Sequence, residues 1–480
     1  MTIASTQAAP ASAAKLETLL NEARRVLAAY AEQPGDAGIW QQLLTTRRKI
    51  AAAIVALPTA QKMGPVIDEV FGALHDFEEA GVADQPVAAE DLAQVEDFRK
   101  RNWPGLLASM LLVPAWQWPS APVLDAVQPW LWAEYTRWLF YTPKAFAACG
   151  QASAYAAHYL KRLEELAGWG TRNRGSAAVR EALQAFASHA NGARLLSDTG
   201  SLRRLFELRG KILSIASGLA PQDELMPLPR EGRRLRVAFI ADNFGPQAGT
   251  YATLPRFEQL DPVRFEVILF AREMTDTTIE GHCKKHAAAF HILPTDFEAQ
   301  VSAIRDANLD VLVFSTNLST EFSGLAPLAL RRLAPLQVAS QGTLATAGLA
   351  EIDLYVSGEF DEIAASPEHY VERLGLLPGA AHAFNFEADR QEPSSTWVRA
   401  ALSLPEDAVV FVTESGSAFS LSLDGSNKVW TQSITKGNLY TTPVVIGQQV
   451  IYSIHQGDHN LGAYDFSGGA DQKWNAVALK

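Results

Sequence analysis

The chain has 480 residues, 48% hydrophobic and 20% charged, an ordinary globular composition with room for roughly two to four domains. Its formal net charge of −12 argues against a nucleic-acid partner, which needs clustered cations to displace phosphate counterions. Two cysteines, Cys149 and Cys283, exclude a disulfide framework and a cysteine zinc site, and both are expected to be free, buried thiols.

Met1 to Ala14 is rich in Ala, Ser, Thr and Pro, has no apolar core of the kind a secretory signal needs, and is expected to be disordered. The longest near-apolar run, Gly105 to Trp116, is too short to cross a bilayer and is interrupted by Ser109 and Pro114. The chain therefore reads as cytoplasmic, without a membrane partner.

From Lys15 to Ala220 the pattern is helical. Leu16, Leu19, Leu20, Ala23, Val26, Leu27 and Tyr30 recur at steps of three and four, forming one stripe. Further stripes lie in 38–57, 64–80, 89–101, 122–140, 151–168, 176–190 and 199–217, punctuated by Pro58, Pro104, Pro114, Pro119 and Pro143. Six tryptophans (103, 116, 118, 130, 132 and 138) crowd one stretch, where filling a core between helices outweighs a ligand-stacking surface. No fixed period emerges, so the array is irregular although of a TPR-like kind.

A Pro-rich polar linker, 221–234, ends this region. Short apolar strands at 235–241, 265–270, 291–293, 309–314, 336–339 and 353–356 then alternate with helices near 251–260, 277–288 and 296–307. That alternation specifies a parallel sheet covered on both faces, hence a doubly wound, Rossmann-like α/β lobe over 235–408. Its ligand crevice belongs at the carboxyl ends of the strands.

From Val409 helix formers give way to Ser, Thr, Gly, Gln and Asn between short alternating strands. Trp430 and Trp474 are 44 residues apart, as are Gly425 and Gly469, a spacing that matches one four-stranded propeller blade. The expected architecture is multidomain: an all-α helical array, an α/β lobe, then short all-β repeats over 409–480.

Candidate chemistry lies in three loops. Asp242-Asn-Phe-Gly-Pro-Gln-Ala-Gly-Thr250 follows the first strand and offers Asp242, Gln247 and Thr250 to a ligand, though it lacks the glycine spacing of a dinucleotide fingerprint. Ser315, Thr316 and Asn317 stand at the end of the 309–314 strand, and Gly342 and Thr343 open a small-residue loop that lets a ligand approach backbone closely. His382, after the Leu376-Leu377 run, could reach the same crevice. His282, His286 and His291 lie within ten positions, but no carboxylate is fixed beside them in the sequence, so no metal is expected. No residue carries a catalytic assignment.

These pieces resemble the catalytic region of O-GlcNAc transferase / SPINDLY-like glycosyltransferases (family 41 type, GT-B fold). The similarity rests on Asp242-Asn-Phe-Gly245, Asp261-Pro-Val-Arg-Phe-Glu-Val267, Asp310-Val-Leu-Val313, Arg331-Arg-Leu-Ala-Pro-Leu-Gln-Val338, Gly342-Thr343 with Ala347-Gly348, Asp353-Leu-Tyr-Val-Ser-Gly358 and Tyr370 through Pro378, in order over roughly 150 residues. The resemblance implies a bacterial enzyme that passes a sugar from a UDP-sugar donor to a protein or peptide acceptor, with inversion and without a metal or other cofactor. It also implies that the helical array precedes the catalytic lobes and can hold a protein partner.

Two departures matter. The family's first loop carries a His-Pro pair where this chain has Gln247-Ala248, so a proton-exchanging side chain is replaced by one that cannot exchange protons. Leu402 to Val412 resembles the first strand of the second, nucleotide-binding lobe, yet the β-repeat follows at once. The repeat, with Asp424-Gly425, Trp430 and Thr441 through Tyr452, is similar to outer-membrane assembly factor BamB and pyrroloquinoline-quinone-type propellers. The expectation is a fused, impaired transferase that lacks the lobe for its donor. The alternative is a non-catalytic adaptor using the array and the β-repeats, with a quinoprotein fragment a distant third.

Overall fold

In a computed structural model of the chain, the described residues are 8–57, 64–146, 148–198, 200–218, 232–322, 324–340, 342–381 and seven strands between 408 and 478. They form two compact units, Met1–Asn385 and Phe386–Lys480, taken separately below.

The first unit begins with helices α1 (Ala8–Glu32), α2 (Ala37–Val55), α3 (Gly64–Glu79), α4 (Ala89–Phe98), α5 (Asn102–Leu112), α6 (Trp132–Leu139), α7 (Gln151–Arg172), α8 (Ala177–His189) and α9 (Arg203–Ser217). Among the described residues, side chains cap two of them: Asp36 accepts from the Ile39 amide at 2.8 Å at the start of α2, and Ser176 accepts from the Val179 amide at the start of α8. α1 starts at Ala8, ahead of the expected helical start at Lys15, because its alanines favour helix over disorder. Two other expectations differ. α5 has no stripe to read, since all its residues but Asn102 are buried, and it lies in the run read as merely apolar. The 122–140 stripe is α-helical only from Trp132, with 3-10 turns at Leu124–Ala126 and Pro129–Leu131 between the prolines.

The tryptophans fill the core, as expected. Trp103, Trp116, Trp118 and Trp138 are buried; Trp138 stacks on Tyr135 with centroids 5.3 Å apart, and Trp118 meets Trp138 edge-on at 6.1 Å. The indole N–H groups of Trp118 and Trp138 find acceptors, Glu96 at 3.0 Å and the Val113 carbonyl at 3.2 Å, whereas that of Trp116 is buried without a hydrogen-bond partner.

The unit continues into β1 (Leu235–Ala241), α10 (Ala248–Glu258), β2 (Phe265–Ala271), α11 (Thr278–Lys285), β3 (Ala289–Ile292), α12 (Phe297–Asp306), β4 (Val311–Phe314), β5 (Leu336–Ala339), β6 (Leu354–Gly358) and β7 (Arg373–Leu377). All seven strands are parallel, in the order β3-β2-β1-β4-β5-β6-β7. Alternation along β1 assigns its faces: Val237, Phe239 and Ala241 join Phe257 of α10 and Cys283 of α11, whereas Ala238 and Ile240 join Val301 and Ile304 of α12. The second face also shares one continuous core with the helical array.

Several of the residues that carry the family resemblance, Asp310, Arg332, Gln337 and Asp353 among them, stand at the amino ends of the strands. Asp310 accepts from both guanidinium nitrogens of Arg233 and from the Arg236 amide at 2.6–2.8 Å. Arg332 reaches Asp353 at 2.6 Å and Glu351 at 2.9 Å, while buried Gln337 accepts from the Leu333 amide at 2.7 Å. These are knots that tie the sheet's base, at the opposite edge from any crevice.

In the second unit, β8 (Ala408–Val412), β9 (Ser417–Ser422) and β10 (Lys428–Ser433) form a three-stranded antiparallel meander, and β11 (Val444–Ile446), β12 (Gln449–Ser453), β13 (Leu461–Asp465) and β14 (Ala476–Ala478) a four-stranded one. β9 and β13 start 44 residues apart, in keeping with the sequence period. The strand at 408–412, read as opening a second α/β lobe, instead pairs antiparallel with β9. Among the described residues there is neither a closed propeller nor a second parallel sheet.

Candidate functional site

The strand order reverses between β1 and β4: the chain leaves β1 toward β2 on one side and returns to β4 on the other. Loops leaving these neighbours diverge, opening a crevice at the carboxyl ends. A cavity of about 430 Å³ lies there, lined by Asp242, Gln247, Gly249, Thr253, Ser315, Thr316, Asn317, Ser340 and Gly342, among others.

The first loop is braced from behind. Asp242 pairs with Arg272 at 2.9 Å, and its carbonyl accepts from the Arg272 amide at 2.9 Å. Asn243 accepts from the Gly245 amide at 3.0 Å and donates to Glu273 at 2.9 Å. Gln247 is the N-cap residue of α10, but its side chain donates to the Asn243 carbonyl and Oδ1, each at 3.0 Å, instead of capping the helix. No side chain therefore caps α10, and its first turn, with the positive end of the helix dipole, borders the cavity at Ala248 and Gly249.

The β4 and β5 loops close the other wall. Asn317 serves its own turn: Oδ1 accepts from the Ser319 and Thr320 amides at 3.1 and 3.2 Å. Gly342 stands so near that an added Cβ would lie 3.1 Å from the Thr316 amide nitrogen, so a side chain there would press the two loops apart. Behind it, buried Thr343 donates to the Thr316 carbonyl at 3.0 Å, and Tyr355, its hydroxyl pushed up to about 12 by burial, donates to the Thr343 carbonyl at 2.5 Å.

Of the residues expected at the site, Asp242, Gln247, Thr316, Asn317 and Gly342 share this cavity. Thr250 and Thr343 are buried in its framework and are not among the lining residues. His382 lies outside the described residues. Thr253 and Ser340 line the cavity without having been singled out; Thr253 sits one helical turn beyond Thr250, a spacing that could have flagged it. The Ser315 Oγ, in the lining, and the Thr250 Oγ1 are buried without a hydrogen-bond partner. Asp242 is the one ionisable group among the described lining residues, and no histidine is among them.

The helical array holds the β4 loop in place. Arg209 of α9 is 3% exposed and donates to the carbonyls of Leu318 at 3.0 Å and Glu321 at 2.8 Å; burial pushes its guanidinium down to about 10. The Gly192 amide donates to the Thr320 carbonyl at 2.7 Å. Buried Glu372 accepts from Thr346 Oγ1 at 2.6 Å and the Gly348 amide at 2.8 Å, fixing the loop that α9 packs against. No sequence signal marks Arg209, which stands 109 positions before Leu318.

Two expectations are corrected. Cys149 is exposed, and only Cys283 is buried. Beside His282 and His286 a carboxylate does stand: Glu258, the last residue of α10, with Oε1 2.8 Å from His282 Nε2. His291 is exposed and stacks on Phe270. No helix among the described residues is long and apolar enough to cross a membrane.

No protein-family model matches the chain, and no curated protein matches it. Among solved structures, a mutant of the O-GlcNAc transferase of Thermobaculum terrenum aligns at 18% identity with a TM-score of 0.34, covering 78% of this chain. The chain spans 58% of that structure's length.

Proposed function

We propose that this chain is a glycosyltransferase-type protein whose crevice takes the sugar-diphosphate end of a UDP-sugar, and that by itself it transfers sugar to a protein side chain feebly or not at all. One observation carries the reading: an uncapped helix N-terminus and the unpartnered Ser315 hydroxyl border one polar crevice at the switch point of a parallel sheet. Helix N-termini stabilise anions through free amides and the dipole, which suits inverting transfer without a metal. The low turnover follows from two features. Gln247 cannot serve as a general base, and the described part of 408–478 is antiparallel sheet where a second α/β jaw would be needed to grip the nucleotide. The test is incubation with labelled UDP-N-acetylglucosamine or UDP-glucose and an acceptor peptide. Product at the level of a protein-free blank is expected; turnover at enzyme-like rates overturns the reading.

A second reading, a protein-binding adaptor, draws on another cavity. About 450 Å³ opens in the helical array between Arg99, Trp103, Leu106, Trp118, Val123 and Gln128, and Val123 is 49% exposed at its rim. An apolar peptide side chain would fit such a hollow. Capture of a peptide partner by the full chain, lost on Val123→Asp, would favour this reading.

A further inference from the structure

We propose that Glu258, His282 and His286 form a binding site for a divalent transition-metal ion of the zinc type, clipping α10 to α11. The three ligand atoms lie within 4.8 Å of one another. Glu258 Oε1 is 2.8 Å from His282 Nε2 and 3.6 Å from His286 Nε2, and the two imidazole centroids are 4.5 Å apart. Zinc bonds of about 2.0–2.1 Å place tetrahedral ligands roughly 3.3 Å from each other, between the two measured separations. Only small rotations of two surface rings are then needed to seat an ion.

The local fold explains why the three meet. His282 and His286 stand four apart at the end of α11 and so share a face, and the last turn of α10 brings Glu258 against it. The Glu258 side chain is 10% exposed, whereas those of His282 and His286 are 40% and 37% exposed. The carboxylate is thus fixed and the imidazoles face solvent, which leaves a path for the ion and a coordination position for water. Two neutral imidazoles and one carboxylate suit zinc, copper or nickel better than magnesium or calcium, which prefer all-oxygen shells. Lys284, two positions from each histidine, is paired with Glu280 and lies 4.6 Å from the centroid of the Phe290 ring, and Lys285, next to His286, is exposed.

This site is separate from the crevice. Glu258 ends the helix whose first turn borders the cavity, and ten residues of helix span about 15 Å. The inference therefore stands or falls independently of the sugar-transfer reading.

The experiment is a calorimetric titration of the metal-free full chain with Zn²⁺, repeated with His282→Ala, His286→Ala, Glu258→Gln and, as a control, His291→Ala. The expected result is saturable micromolar binding of a single ion in the wild type and in His291→Ala. Each ligand variant should bind more weakly by at least the ~10–100-fold that loss of a mere supporting contact costs. Co²⁺ should give the visible bands of a tetrahedral site in the wild type and lose them in His286→Ala. Because both imidazoles are exposed, unchanged circular dichroism of the histidine variants shows that folding is not the cause. No saturation at micromolar zinc, equal affinity in all variants, or loss in one histidine variant alone overturns the assignment.

Discussion

Gly210 is where the helical array meets the loop after β5, and adding one methyl group there should reverse the usual effect of a helix substitution. In an exposed helix interior, Gly→Ala stabilises by about 0.8–1.0 kcal/mol through helix propensity. At Gly210 the new Cβ would lie 1.9 Å from the Gly348 carbonyl oxygen and 2.9 Å from its carbon. A relaxed carbon–oxygen contact needs about 3.3–3.6 Å, so backbone must separate by about 1.5 Å. The neighbour cannot yield freely, since Gly348 has φ +65° and its own added Cβ would stand 2.3 Å from the Phe206 carbonyl oxygen. Overpacking of this kind costs about 3 kcal/mol at the upper end of its usual range, leaving a net destabilisation of about 2 kcal/mol after the propensity gain. Gly72, exposed in α3 with nothing within 4 Å of an added Cβ, supplies the control. Urea denaturation followed by circular dichroism should move the midpoint down for Gly210→Ala and slightly up for Gly72→Ala. If Gly210→Ala stabilises as Gly72→Ala does, α9 does not pack this closely on the crevice framework.

Two further outcomes follow from buried groups. Burial lowers the His158 pKa from 6.5 to about 4, with its ring nitrogen 2.9 Å from the Leu139 carbonyl, so the folded chain prefers the neutral ring. Its contribution is complete above the unfolded value near 6.5 and is lost as pH falls toward 4, amounting to about 3 kcal/mol; His158→Gln should flatten that part of the stability–pH curve, and an unchanged curve contradicts the assignment. In the native chain a thiol reagent should modify exposed Cys149 rapidly and leave Cys283 intact, because burial excludes the reagent and pushes that thiol up to about 12. Rapid labelling of two thiols per chain would contradict the packing around α11.

The sequence reveals the α/β core because each strand is an unbroken apolar run. Leu235–Ala241 is the whole of β1, and Phe265–Ala271 extends the expected second strand by one residue. The crevice was legible for the same reason, since parallel topology sends the loops after β1, β4 and β5 to one edge. Which threonine faces that crevice was not legible. Thr250 and Thr343 carry the same hydroxyl as Thr316, and only packing turns them into the framework. α5 escaped because a helix buried on every side has no polar face to set its period. Glu258 and Arg209 escaped because their partners are distant in sequence: Glu258 meets His282 across 24 positions, and Arg209 meets Leu318 across 109. Of the recognisable segments, those around Asp310, Arg332 and Asp353 hold the base of the sheet together, so resemblance there speaks to folding more than to chemistry.

The central claim is that the polar crevice between the β1 and β4 loops receives the sugar-diphosphate end of a UDP-sugar. Hydrogen–deuterium exchange of the full chain, with and without saturating UDP-N-acetylglucosamine, tests it most directly. Protection should concentrate in 242–253 and 315–320, where the first turn of α10 and Ser315 line the cavity. Unchanged exchange in both segments, or protection confined to 99–128 in the helical array, would contradict it.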